Sequence, residues 1–446
     1  MNTRSDNGSA ATLVADFADF AGSRTEDAGL HAGRVEAAAQ FARLGLPGRE
    51  REEWKYADLR PFAAAGFRAP LAERSAVDAA TVAALALPGL EAHRFVLVDG
   101  HYAPALSSPG SLPAGVTITP LAAATSAQLQ AASFGQLART ADNAFAALNA
   151  AYWQDGLLVT LAPGTALEAP IELLLVSTAA AAGRLVAPRV IVSSGCESSA
   201  TIVERHVGLP GAAIFCDAIT ELRVADDARV THLKLLQEDA AAWHIGGTHV
   251  LQSGARSLYR SLEIVLGGAS ARRELHLDLA GDHARCELEA LYLASGDQRR
   301  DLRTRVRHSV ADCETHELYK GVLDGHARGI FDGLIYVAQD AQRTNARQTN
   351  RNLLLSADAT AYSMPRLEIY ADDVRCTHGS TSGQIADEQL FYLRSRGYDV
   401  ESARALLTFA FASELLERVE AEPLRKALTG ALLERLPRRE LVEGSL

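Results

Sequence analysis

Near the C-terminal end of the chain, Cys376 and His378 stand two residues apart in Val374-Arg375-Cys376-Thr377-His378. If this stretch is a strand, both side chains project from one face, about 7 Å apart. A thiolate and an imidazole are suitable ligands for iron or for a metal–sulfur cluster, so such a face can present both to one centre. Two ligands do not close a site. A bound metal draws its stability from a full ligand set, so the pair works only where another chain completes it. Packing is the competing reading: a strand cysteine is commonly a small buried hydrophobe, and a single histidine beside a glycine turn is commonly a surface residue. Cys313 and His316 lie three apart, which on a strand puts them on opposite faces, and they read as structural.

Other chemistries are excluded by what the chain lacks. Its lysines are Lys55, Lys234, Lys320 and Lys426, and none follows a glycine. A phosphate-cradling P-loop needs that Gly-Lys step, so this chain has no Walker A motif. No GxGxxG occurs either, and no nucleotide is expected to bind here. In Gly379-Ser380-Thr381-Ser382-Gly383 the middle residue is threonine, and the strand-turn-helix of a nucleophile elbow is missing. The 446 residues carry a net charge of −11, against a phosphate-tracking surface, so nucleic acid is not an expected partner.

The five cysteines, at 196, 216, 286, 313 and 376, are scattered and form no CxxC pair, which suits reduced thiols better than a disulfide framework. Asp16 and Asp19 interrupt any apolar stretch of signal-peptide length. The longest apolar window, near Ile171 to Gly183, contains Glu172 and is too short to span a bilayer. A soluble cytoplasmic protein, with no membrane partner, is the expectation.

The elements that must position Cys376 and His378 follow from periodicity. Residues 1 to about 62 carry helical spacing, with Leu13, Phe17 and Phe20 on one stripe and Val35, Ala38, Ala39, Phe41 and Leu44 on another. Asn143 to Trp153 could add a helix. From Leu157 the texture changes to short alternating runs such as Arg189-Val190-Ile191-Val192. Those runs recur after Ser199, Ala228, Ala255, Ala284, Cys313 and Ala341, at separations of 29, 27, 29, 29 and 28. A fixed period of that size marks a solenoid, each repeat burying its apolar face on its neighbours.

No helical pattern interrupts Leu157 to Thr377, which removes the crossovers an open parallel sheet requires. Cys196, Cys216 and Cys286 fall inside this coil pattern and read as packing. Gly321, Gly325, Gly329 and Gly333, spaced by four, read as sharp turns of the coil. After Gly383, Asp387 and Asp399 are placed to cap two helices, Gly397 ends the first, and Pro423 opens a third. The predicted architecture is mainly β: a right-handed parallel β-helix flanked by N-terminal and C-terminal helical segments. Its divisions are 1–95 (N-terminal helical segment), 96–378 (β-helix core) and 379–446 (C-terminal helical domain).

Three segments carry a family resemblance. Pro365 to Gly397, PRLEIYADDVRCTHGSTSGQIADEQLFYLRSRG, resembles the signature of the SufD family of iron–sulfur cluster assembly subunits. Phe331 to Ser356 and Arg51 to Phe62 are also similar to that family, and clear motif similarity covers roughly a quarter of the chain. The related SufB subunits carry Glu directly after the histidine, where this chain has Gly379, and with Asp372, Asp373 and Cys376 this places it on the SufD side. The resemblance implies a non-catalytic scaffold that pairs laterally with a SufB-like β-helix and docks a SufC-like ATPase through its C-terminal helices. It also implies that His378, with Cys376, meets a transient iron–sulfur cluster at the shared interface; whether Cys376 ligates or packs stays open. Trp54, Lys55 and Tyr56 read as an anchor of the N-terminal segment. A homodimer without SufB is a third option, through pairing of an exposed coil edge with its own copy, and a polysaccharide-acting enzyme is the alternative this architecture suggests.

Overall fold

Alternating β-branched and aliphatic residues from His93 onward bury one face of each strand, and the computed structural model, which describes residues 8–436 and 439–443, winds these strands into a β-solenoid of about eight turns. Each turn contributes one strand to each of two sheets, and short strands at the N-terminal end bring each sheet to ten. The last strands are Thr360–Ile369 in one sheet and Arg375–Gly383 in the other. Neighbouring turns pair in parallel and in register, because the strand in the opposite sheet serves as the crossover.

One column of the ladder runs Ser199, Arg229, Leu258, Arg285, Glu314, Asn345 and Arg375, with spacings of 30, 29, 27, 29, 31 and 30 residues. Of the repeat positions read from sequence, Ala228, Ala284 and Cys313 are equivalent in this ladder. Ser199, Ala255 and Ala341 miss equivalence by one to three residues, because the corners differ in length while the strands do not shift. In six successive turns one corner holds a non-glycine residue in the left-handed region: Glu197, Asp227, Arg256, His283, Asp312 and Arg343, with φ from 55° to 61°. Stacking holds them there. Asp227 N–H donates to Ala255 O (2.9 Å) on the next turn, and Arg256 and Arg343 each grip the corner aspartate of the turn below, Asp227 and Asp312.

Of the four glycines read as turns, only Gly325 (φ 63°) is one. Gly321 lies in the strand Glu314–Leu323, and Gly329 and Gly333 lie in Arg328–Val337. They make room inside the coil. A Cβ on Gly321 would stand 2.4 Å from Tyr292 Cε2, and one on Gly333 would stand 2.3 Å from Gln348 Nε2.

The N-terminal helices Gly8–Gly22 and Ala28–Leu44 pack with Ala144–Tyr152 against the second sheet. The second of them buries Arg34, Ala37 and Phe41 and leaves Val35 exposed, so its expected apolar stripe is rotated. Arg34 takes the inner position because Glu26 bonds its Nε and the carbonyls of Ala151 and Trp153 bond its Nη1, and its guanidinium also lies 4.1 Å over the Trp153 ring. Trp54 anchors the following segment, stacked on Phe145 at 5.5 Å with the Arg272 guanidinium 3.5 Å over its ring. Tyr56 stacks on Tyr362 at 4.5 Å.

Three main helices follow the solenoid: Asp387–Ser395, Val400–Ser413 and Glu422–Leu433. Asp399 caps the second through Ser402 N–H (2.9 Å), and Pro423 opens the third. The cap residue of the first is Ala386, with Asp387 one position inside. The second helix buries Ala405, Phe409 and Ala412, while Val400 of the expected stripe is exposed. Its buried face joins Leu428 and Leu432 in covering Leu233, Leu262, Leu291 and Leu318 on the outside of the first sheet.

Candidate functional site

The orientation of Cys376 and His378 follows from the strand beneath them. In Asn345–Leu354, the residues Ala346, Gln348, Asn350 and Asn352 are buried and face the lumen. The last strand pairs on it in register, setting Cys376 over Ala346, His378 over Gln348, Ser380 over Asn350 and Ser382 over Asn352. Parallel in-register stacking keeps side chains of one column on one side. Cys376 and His378 therefore share the lumen-facing row at the end of the coil. Among the described residues no further strand covers them.

The two differ in surroundings. Cys376 is half-buried against the lumen core, and that burial pushes its thiol above the usual cysteine range. His378 is exposed. The thiol is thus protonated at neutral pH, and binding to iron would release its proton. Gly379 takes the alternate position in the strand, and a Cβ there would meet nothing within 4 Å, so space does not exclude a longer side chain after the histidine. Ser380 Oγ bonds Ser363 Oγ (2.7 Å) in the partner sheet, tying the two edge strands into one terminal turn.

Below this row the lumen is polar. Gln348 Nε2 donates to Glu317 Oε2 (2.7 Å), which also accepts from Thr304 Oγ1 (3.1 Å). Burial raises Glu317 to about 7. Tyr292 donates to Asn352 Oδ1 (2.5 Å), and Asn350 donates to Tyr319 O (3.2 Å). Alternation hid these groups in the sequence. Gln348, Asn350 and Asn352 occupy inward positions where apolar residues are expected, with charged Arg347 just before them and Arg351 between the two asparagines. The register of a polar run becomes legible only from its neighbours.

A second polar group was also missed, several turns deeper. Glu204 accepts from His206 Nε2 (2.9 Å), His232 Nε2 (3.2 Å) and Thr220 Oγ1 (3.0 Å), and pairs with Lys234 Nζ (3.1 Å). Burial alone would raise this carboxyl, but the Lys234 charge and the histidine bonds hold it well below the usual range. Beside it, one donor atom each from His206, Cys216, Glu238 and His244 lie within 4.8 Å of one another, all buried. Cys216, read as packing, belongs to this group. Cys196, also read as packing, is exposed on a corner. Cys286 packs as expected. Cys313 is buried at a corner and donates to Gly281 O (3.4 Å), while His316 sits part-exposed on the outer face.

No helix among the described residues is long and apolar enough to cross a membrane. Comparison with known proteins gives the family. The SufBD core domain of the SUF system for FeS cluster assembly matches residues 176–411, and the SufBD N-terminal region matches residues 21–173. An iron–sulfur cluster assembly SufBD family protein of Synechocystis is 33% identical over 417 residues, covering 91% of each chain. The iron–sulfur cluster assembly protein SufD of Escherichia coli is 33% identical over 405 residues, covering 89% of this chain and 91% of its own. The chloroplastic protein ABCI7 of Arabidopsis thaliana is 34% identical over 241 residues, 53% of this chain and 50% of its own. Solenoid, flanking helices and these matches across nearly the whole length agree, and the chain belongs to the SufBD family of iron–sulfur cluster assembly proteins, as a member of the SufD type.

Proposed function

We propose that this chain is a non-catalytic scaffold subunit of a SufBCD-type complex, whose terminal turn pairs with a SufB-like β-helix. The observation that carries the reading is the uncovered last strand, Arg375–Gly383, with Cys376 and His378 on its lumen-facing row. An unpaired strand edge is a template for another strand, so a partner's coil could continue the ladder and bring further ligands to the pair. The nascent cluster is then cargo held between two chains, with His378 as this chain's ligand and Cys376 beside it once deprotonated. A second copy of this chain could cover the same edge in the partner's absence.

A SufC-like ATPase docks, on this reading, through the C-terminal helices. Asp387–Ser395 buries none of its residues, and Phe391 and Tyr392 are 73% and 57% exposed. Exposed aromatic residues grouped on one short helix suit a protein interface. The P-loop missing from the sequence would be supplied by that partner, whose nucleotide-driven closure could move the paired solenoids. The expected polysaccharide-acting alternative loses its basis with the family assignment.

The test is His378→Ala in a cell that depends on this complex. Cluster maturation should fall while the complex still co-purifies; normal maturation would remove the ligand role. For docking, Phe391→Glu in the full chain should abolish co-purification with the ATPase and leave the solenoid folded, and retained binding would defeat the claim.

A further inference from the structure

The group formed by His206, Cys216, Glu238 and His244 lies far along the coil from the terminal turn, and the proposed function makes no use of it. Its four residues come from two consecutive turns. His206 is near the end of the strand Ser199–Gly208, and Cys216 near the start of Phe215–Val224. Glu238 follows Arg229–Gln237 directly, and His244 stacks in register on Cys216 in the strand Trp243–Gln252. All four meet inside the corner where the chain passes from one sheet to the other.

We propose that these four side chains form a buried site for one divalent ion of the zinc or ferrous kind, set in the wall of the solenoid. A thiolate, a carboxylate and two imidazoles are a donor set for such borderline ions, and their two negative charges balance the ion in a dry interior. Donors around a tetrahedral ion of this size stand roughly 3.3–3.8 Å apart, given bonds of about 2.0–2.3 Å. Here Cys216 Sγ is 3.8 Å from His206 Nδ1, and His244 Nδ1 is 2.9 Å from Glu238 Oε1. With the whole set spanning 4.8 Å, shifts of about 1 Å would bring it onto one ion.

The surroundings prepare part of the set. Ionised Glu204 accepts from His206 Nε2, fixing the tautomer that leaves the Nδ1 lone pair facing Cys216, an arrangement typical of metal-bound histidines. On binding, the ion would displace the Cys216 thiol proton and any proton on Glu238, releasing them to solvent. His244 is the donor that must change. Arg273 Nη1 bonds its Nε2 (2.8 Å), and on loading Arg273 would withdraw to Glu263, which its Nε already holds at 2.5 Å.

The test uses the full chain carrying Cys376→Ala and His378→Ala, so that the terminal pair cannot contribute. Cells are grown with cobalt in place of zinc, letting the ion enter as the coil folds. About one cobalt per chain should survive dialysis, with a thiolate-to-cobalt charge-transfer band, and X-ray absorption should show one sulfur among nitrogen and oxygen neighbours. Cys216→Ser should abolish the band, and Glu238→Gln, which keeps shape and hydrogen bonding, should lower the metal content at least tenfold. Absence of retained cobalt, a coordination sphere without sulfur, or a band that survives Cys216→Ser would overturn the site. Since X-ray absorption needs no further variant, a Cys216→Ser protein that fails to fold leaves the test intact.

Discussion

Lys320 Nζ, buried on the outer face of the first sheet, reaches Glu414 Oε2 at 2.5 Å and donates to Phe411 O at 2.5 Å. In its column Leu235, Ile264 and Leu291 precede it and Arg351 follows, so the row turns from aliphatic to cationic at this lysine. The lysine pins the helix Val400–Ser413 to the coil. Lys320→Met keeps the stem but strips the Phe411 carbonyl of its donor. We expect a loss of about 1–2 kcal/mol, discounted because Glu414 is part-exposed, and faster hydrogen exchange confined to the C-terminal helices. Uniform exchange along the whole chain would contradict this.

Glu317 gives the solenoid a pH dependence. Its folded carboxyl binds a proton up to about pH 7, whereas the unfolded one loses it near the ordinary 4.5. The folded state holds more protons between these values, so its stability falls as pH rises through that window and stays reduced above it. Glu317→Gln removes the effect, and its amide can donate to Gln348 Oε1, which has no partner now. At pH 8 the variant should be more stable by roughly 1–3 kcal/mol, with little difference below pH 4.5. Urea unfolding at both pH values is the measurement.

Two glycines should behave oppositely. Gly321→Ala places a methyl group against the Tyr292 ring and Asn352 Oδ1, both buried and bonded to each other. It should cost about 1–3 kcal/mol, the usual penalty of overpacking. Gly379→Ala enters open space and should change the unfolding midpoint negligibly. Thermal unfolding of the pair compares a crowded lumen with an uncovered edge.

His378→Ala should leave stability within about 0.5 kcal/mol of the parent, because an exposed side chain forfeits little on removal. Chemical denaturation of the purified variant checks this. A larger loss would mean that the histidine is part of the packing, and its effect in cells could no longer be read as loss of a ligand.

The coil period, the absence of helical crossovers and the pairing of Cys376 with His378 on one face were readable from sequence, because each rests on local spacing. Apolar stripes were less so. Arg34 displaced Val35 from the inner face because Glu26 and two carbonyls bond its guanidinium, and no propensity reports a tertiary partner. Gly321, Gly329 and Gly333 were mistaken for turns because their spacing looks the same whether a glycine bends the chain or clears room for Tyr292 and Gln348. The deep group escaped for a further reason: His206, Cys216, Glu238 and His244 share no motif and meet only when two turns stack.

The unequal spacing of the turns, from 27 to 31 residues over strands that keep their register, bears on how such a chain can diverge. Insertions and deletions that fall at a corner alter the outline and leave every inward side chain in its column. One added residue inside a strand would instead reverse the faces of all that follow it up to the next bend. Length variation among descendants should therefore collect at the bends, while the packed interior of the coil drifts only by substitution.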